Sequence, residues 1–179
     1  MHPTCIYLDC KYLYCVLSIE LFLLNYLPLT TVAEEIMQLT KHTDYAFRIL
    51  IFLATLEKGK LTTIQQLTEG FVISKSHAMK IVNKLVHQHW VKATRGKNGG
   101  IQLGLEASEI TLRSVVELME QTLEPVNCDS PICALKSACQ LKGILCQAQE
   151  LYLEHLGKST IEDLVNNQTA DVIRLMSKA

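Results

Sequence analysis

Proline and glycine are scarce in this chain, with four and eight among 179 residues. That excludes collagen-like or low-complexity character. Charged residues are also few, at 20% against 49% hydrophobic, and this balance excludes wholesale disorder. No cysteine occurs in the 112 residues between Cys15 and Cys128. An odd total of seven, with no convincing secretory leader, argues against a disulfide framework. It favours a reducing, cytoplasmic setting with metal or redox use of the thiols. No Ser-His-Asp order, phosphate-binding glycine loop or paired-carboxylate motif is evident, so an enzyme is not expected. What remains is a globular chain long enough to bury about two-thirds of its unfolded surface without disulfides.

The first 36 residues stand apart. Tyr12 to Leu29 is apolar, but Glu20 lies near its centre and Pro28 breaks its end, which weighs against a membrane span. A weakly charged start and the lack of a small-residue cleavage site weigh against a signal peptide. A membrane partner is therefore not expected. Residues 1–36 are taken as an extension of uncertain reality, with Met37 as the expected start.

The net charge of −1 conceals a split. From Met37 to Gly104 ten Lys/Arg face three acids, whereas from Leu105 onward six bases face eleven acids. A basic block within a neutral chain is an electrostatic footprint for a polyanion, or else a solvated face.

Within that block, Asp44 to Leu56 has apolar residues at helical spacing, with Thr43 as an N-cap and Gly59 past its end. Thr63, Ile64, Leu67 and Phe71 predict a short second helix, stopped by Gly70. Ser74 or Ser76 caps a third, running to His87, with Met79, Val82, Leu85 and Val86 inward. Ser74, Lys75, Ser76, His77 and Lys80 then lie at its head or on its outer side, together with Lys84. A helix head attracts phosphate, and short polar side chains there reach base edges in the major groove. A plain helical bundle with a wet surface is the competing reading. The next segment favours DNA. Val91-Lys92-Ala93-Thr94 and Ile101-Gln102-Leu103 flank Arg95-Gly96-Lys97-Asn98-Gly99-Gly100, where Asn-Gly signals a hairpin. Arg95, Lys97 and Asn98 on that turn make a wing suited to phosphates or a narrow minor groove. The expected fold is mainly α with a small β-hairpin: a winged helix-turn-helix over residues 37–104.

Residues 105–167 carry the second feature. After a helix from Ile110 to Met119, Cys128, Cys133 and Cys139 are separated by four and then five intervening residues on a stretch held non-helical by Pro125 and Pro131. Such a loop can wrap a zinc ion or an iron–sulfur cluster, or its cysteines can be small core residues. A long helix follows, ending at Gly157. Leu141, Ile144, Leu145, Ala148, Leu151 and Tyr152, with His155, share a stripe suited to dimerisation. Ser159 or Thr160 is expected to cap a last short helix through Val165, leaving a loosely held tail over 168–179.

Met37-Gln38-Leu39-Thr40 through Asp44-Tyr45-Ala46, the segment Arg95 to Gly104, the spaced cysteines and Thr160-Ile161-Glu162-Asp163-Leu164-Val165 are specific together. They resemble the nitric-oxide-sensing repressors of the IscR-like bacterial iron–sulfur regulators, from Met37 to about Asn167. The resemblance implies a homodimeric winged-helix repressor on a palindromic double-stranded DNA operator, holding a 4Fe-4S or 2Fe-2S cluster through Cys128, Cys133 and Cys139. It implies Asp44 of the partner subunit as fourth ligand, with Cys146, water or a small thiol as competitors. It also implies that nitric oxide, on nitrosylating the cluster, releases the DNA. IscR-like members that control cluster assembly use a histidine three residues after the last cysteine, where this chain has Lys142. The alternatives are such an assembly regulator, and a zinc or thiol redox module without DNA.

Overall fold

Thr40 starts the first helix. The computed structural model describes residues 39–176, so the leader, its three cysteines and the expected start at Met37 lie outside the described residues. Helix α1 (Lys41–Thr55) is capped by the Thr40 hydroxyl, which accepts from the Thr43 amide. The cap expected at Thr43 therefore moves three residues back. Thr43 itself is fully buried, because its hydroxyl finds a carboxylate across the domain. Ala46, Ile49, Leu50, Phe52 and Leu53 form the buried stripe of α1.

Helix α2 (Ile64–Phe71) starts with a capping box between Thr63 and Gln66. Gly70 does not stop it. The helix runs through Gly70 to Phe71 and ends at Val72, whose left-handed backbone turns the chain. Helix α3 (Lys75–His87) is capped by Ser74, which settles the choice between the two serines. Its buried positions are Ala78, Ile81, Val82 and Leu85. Met79, expected inside, is 45% exposed, because it lies one residue, about 100° of helical turn, away from Ala78 on that stripe.

Strands β1 (Val91–Thr94) and β2 (Gly100–Leu103) form an antiparallel hairpin in which Val91 faces Leu103 and Thr94 faces Gly100. Thr62 pairs with Ile101 through two backbone bonds of 3.0 and 2.7 Å, pinning the hairpin to the α1–α2 connection. The turn differs from the one expected at Asn98-Gly99. The positive φ, 113°, falls at Gly96, and the Gly99 amide donates to the Gly96 carbonyl at 2.9 Å. Helices α1–α3 with this hairpin make a winged helix-turn-helix.

Helix α4 (Leu112–Met119) is capped by Thr111, and Ile110 precedes it, fully buried. Residues 120–140 contain no helix or strand. Helix α5 (Leu141–Leu156) follows and buries Leu153. The chain then returns to α4: Ile161 donates to the Ile110 carbonyl, and Leu112 donates to that of Ser159, both at 2.9 Å. The short helix expected there is one 3-10 turn, Glu162–Leu164. Thr160 does not cap it as an acceptor; its amide and hydroxyl donate to Asp163, whose carboxyl is held below its ordinary range by those bonds. Beyond it the chain is not a loose tail. Helix α6 (Asn167–Met176) places Ile173 in the core beside α1.

Candidate DNA-binding face and cysteine loop

The head of α3 gathers one set of expected contacts. Ser74, Lys75, Ser76, His77 and Lys80 all occupy its cap or first two turns, and all are exposed. The Ser74 hydroxyl accepts from the His77 amide and lies 3.3 Å from that of Ser76. Lys84 follows one turn on, and its ammonium reaches the Leu118 carbonyl of α4 at 3.4 Å. This end of the helix combines unsatisfied amides, hydroxyls and lysines, a combination suited to phosphate and base edges.

The hairpin loop gathers the second set. Arg95, Lys97 and Asn98 are exposed on the five residues between β1 and β2. The loop is rigid in one respect. A Cβ on Gly99 would lie 2.3 Å from the Thr94 carbonyl oxygen, and one on Gly100 would lie 2.6 Å from that of Thr62. Close backbone approach therefore fixes both glycines.

Two groups that the sequence did not single out bring α1 to α3. The His42 ring lies 5.7 Å from that of His77, and Tyr45 lies 6.4 Å from it. Burial, with His77, Lys84 and Lys80 nearby, holds the His42 imidazole below its usual pKa, while Glu120 opposes the shift. Amphipathic spacing places Tyr45 toward the core and says nothing of a histidine pair, since its members are 35 residues apart.

The cysteine loop is open. Cys128 and Cys133 are half-buried, Cys139 is exposed, and none is in a disulfide. The Cys133 amide donates to the Cys128 carbonyl at 3.1 Å, so these two residues close one turn. An ion pair between Lys136 and Asp129 straddles that turn, raising the lysine's pKa and lowering the carboxyl's through their mutual hydrogen bond. Among the described residues no three His, Cys, Asp or Glu side chains are gathered as a metal-holding group. Asp44, in the first turn of α1, is instead gripped by Arg48 through bonds of 2.9 and 2.7 Å. Cys146 is on α5, exposed. The donor chemistry suits an iron–sulfur group, since such groups are held by cysteine thiolates and these three thiols are in no disulfide. A single chain leaves that set open.

Helix α5 leaves most of its stripe uncovered. Leu141, Ile144, Ala148, Leu151 and Tyr152 are exposed, and Leu145 is half-buried. His155 is exposed as well. The Arg113 guanidinium, bonded to Glu117 and Glu150, secures α5 to α4 from the other side. No described helix is long and apolar enough to cross a membrane.

The sequence model of the Rrf2 family, described as iron-dependent transcriptional regulators, matches residues 39–167. Among solved structures, CymR (YrzC), the global cysteine regulator of B. subtilis, is 24% identical, with a TM-score of 0.60 over 72% of this chain and 96% of that one. CymR of Staphylococcus aureus is 21% identical, with a TM-score of 0.56 over 72% of this chain and 100% of that one. T. potens IscR is 17% identical, with a TM-score of 0.58 over 72% and 85%. At such identities the likeness to these structures is one of fold.

Proposed function

This chain belongs to the Rrf2 family of DNA-binding transcriptional regulators, and from that premise we propose that it is a homodimeric, cytoplasmic repressor of the NsrR kind. It reads a palindromic operator through the head of α3 and the wing, and it responds to nitric oxide through an iron–sulfur cluster. Residues 37–104 are its DNA-binding part, and 105–167 its sensing and dimerising part. Ser74, Lys75, Ser76, His77 and Lys80 serve the major groove, while Arg95, Lys97 and Asn98 serve the backbone or the minor groove. Cys128, Cys133 and Cys139 hold the cluster, completed by Asp44 of the partner subunit. The exposed stripe of α5, through Leu141, Ile144, Leu145, Ala148, Leu151 and Tyr152, joins the protomers.

The observation that carries the sensing role is a set of three free thiols on one loop, one ligand short of four. Three free thiols share the loop, and Asp44 stands exposed enough in the first turn of α1 to exchange its Arg48 partner for another. A cluster held by these three thiols and a carboxylate would supply iron reactive toward a diatomic gas, since a carboxylate grips iron less firmly than a thiolate. Asp44 then has two places to be: reaching across to the other protomer, or back on Arg48. Because α1 also packs on His77, exchange between them alters the presentation of α3. A coupling on the order of 1–3 kcal/mol between loop and DNA face makes an effective switch.

A controller of cluster assembly, like IscR, has the same fold. The residue that separates the two is Lys142, which occupies the position where IscR-like members carry a ligating histidine. A zinc or thiol module without DNA is the third option. One experiment discriminates among them: protein purified without air is titrated with nitric oxide, following its visible spectrum beside a gel shift on a palindromic promoter fragment. The expected result is a brown protein that bleaches and releases DNA together. Colourless zinc protein, or DNA binding indifferent to the gas, would defeat the proposal. Asp44→Ala is expected to remain brown with an altered gas response or DNA affinity. If its spectrum, binding and response all match the wild type, the cross-subunit ligand is wrong.

A further inference from the structure

Glu120 ends α4 and begins the segment that leads to Cys128, yet its carboxylate acts on residues about 80 positions earlier in the chain. One oxygen accepts three hydrogen bonds at the N-terminus of α1: from the Thr40 amide at 2.9 Å, from the Thr40 hydroxyl at 3.1 Å and from the buried Thr43 hydroxyl. A carboxylate at the positive end of a helix, taking several donors at once, is among the stronger polar ties a protein makes. The same end of α4 holds α3, since the Leu118 carbonyl accepts from Lys84. Between these two ties, His42 of α1 packs on His77 at the head of α3. Thus the root of the cysteine loop, the start of α1 and the DNA-facing end of α3 converge on one short stretch.

We propose that Glu120 is a positioning residue: it ties the root of the cysteine loop to the N-terminus of α1 and so sets the head of α3 for DNA. The coupling half of this inference rests on the sensing role proposed above. The positioning half concerns the folded chain itself. A change in the loop that draws Glu120 away frees Thr40 and Thr43, loosens the first turn of α1 and with it the His42–His77 contact. Asp44 is in that same turn, so a pull on it and a pull on Glu120 act on one lever.

The test compares wild type with Glu120→Gln, which keeps the shape and removes the charge, and with Thr43→Val, which removes one donor with the same outline. Each is prepared without air and again after removal of metal. Glu120→Gln is expected to match the wild type in colour and iron content. In metal-free protein its backbone amides at His77 and Ala78, which bond to Ser74, are expected to exchange with deuterium about fivefold faster or more. Where wild type binds its operator about tenfold differently with and without cluster, Glu120→Gln is expected to lose that difference. Thr43→Val is expected to change both readouts in the same direction by less. Equal exchange at residues 77 and 78 in Glu120→Gln and wild type overturns the positioning role. A wild-type difference that survives in Glu120→Gln overturns the coupling. If wild type is colourless and shows no difference, the sensing proposal fails, and the exchange measurement alone decides the role of Glu120.

Discussion

Val72 has φ 54° and ψ 43°, a left-handed backbone that β-branched residues avoid, and 90% of its surface is exposed. It therefore contributes almost no burial to offset its strain. Glycine adopts this conformation freely. Relief of about 1–2 kcal/mol of left-handed strain exceeds the roughly 0.4–1 kcal/mol that glycine's extra freedom costs in the unfolded chain. Val72→Gly is accordingly expected to raise stability by somewhat under about 1 kcal/mol, seen as a small rise in the thermal unfolding midpoint by circular dichroism; a fall would contradict the strain. Glycine serves differently at Gly104, where a Cβ would meet the His89 carbonyl oxygen at 2.3 Å. Residue-scale features of this kind were only partly legible. The run Asn98-Gly99-Gly100 announced a reversal correctly, yet the left-handed residue proved to be Gly96, because the length of the loop, not the dipeptide, sets its path. Nothing in the local sequence marks Val72, since its conformation is imposed by the packing of the two helices it joins.

At the scale of elements, α1, α2, α3 and the hairpin were legible because each carries its own periodicity and its own cap or turn. Helix α6 was not. Ile173 is its one buried side chain, and a polar start through Asn167, Gln168 and Thr169 reads as a trailing end. What orders it is tertiary, as Ile173 joins the core that α1 provides. The cysteine loop shows the same limit from the other side: spacing marked Cys128, Cys133 and Cys139 as candidates, but no pattern in the sequence says that, among the described residues, no three such side chains come together. The tie of Glu120 to Thr40 and Thr43 spans some 80 residues and has no local signature. The wing is the element whose role is easiest to isolate, because its tip makes no core contact. Arg95→Ala is expected to change stability by less than about 0.5 kcal/mol. It is expected to weaken operator binding with a salt dependence about one unit shallower if the guanidinium meets phosphate, or selectively on AT-rich sites if it enters the minor groove. Titrations over a range of salt measure this, and unchanged binding would refute the wing's role.

The whole molecule presents a helix that its own domain does not cover. Helix α5 buries Leu153 and is secured through Arg113, while Leu141, Ile144, Leu151 and Tyr152 of its stripe stay exposed. Each large apolar side chain withdrawn from water is worth roughly 1.5–3 kcal/mol, so a second copy of the helix laid against this stripe gains more than a monomer forgoes. Doubling also matters for recognition, since one winged helix meets few base pairs and two at fixed spacing read a palindrome. Leu151 is 67% exposed in the single chain, and a charge there should leave the fold intact while opposing association. Leu151→Glu is expected to keep its helical spectrum, sediment as a monomer and lose about a hundredfold or more in operator affinity, as two linked half-site contacts become one. Sedimentation velocity beside a gel shift checks both consequences. A Leu151→Glu protein that remains dimeric and binds as before would mean that the protomers meet elsewhere, and that the exposed face of α5 serves something other than pairing.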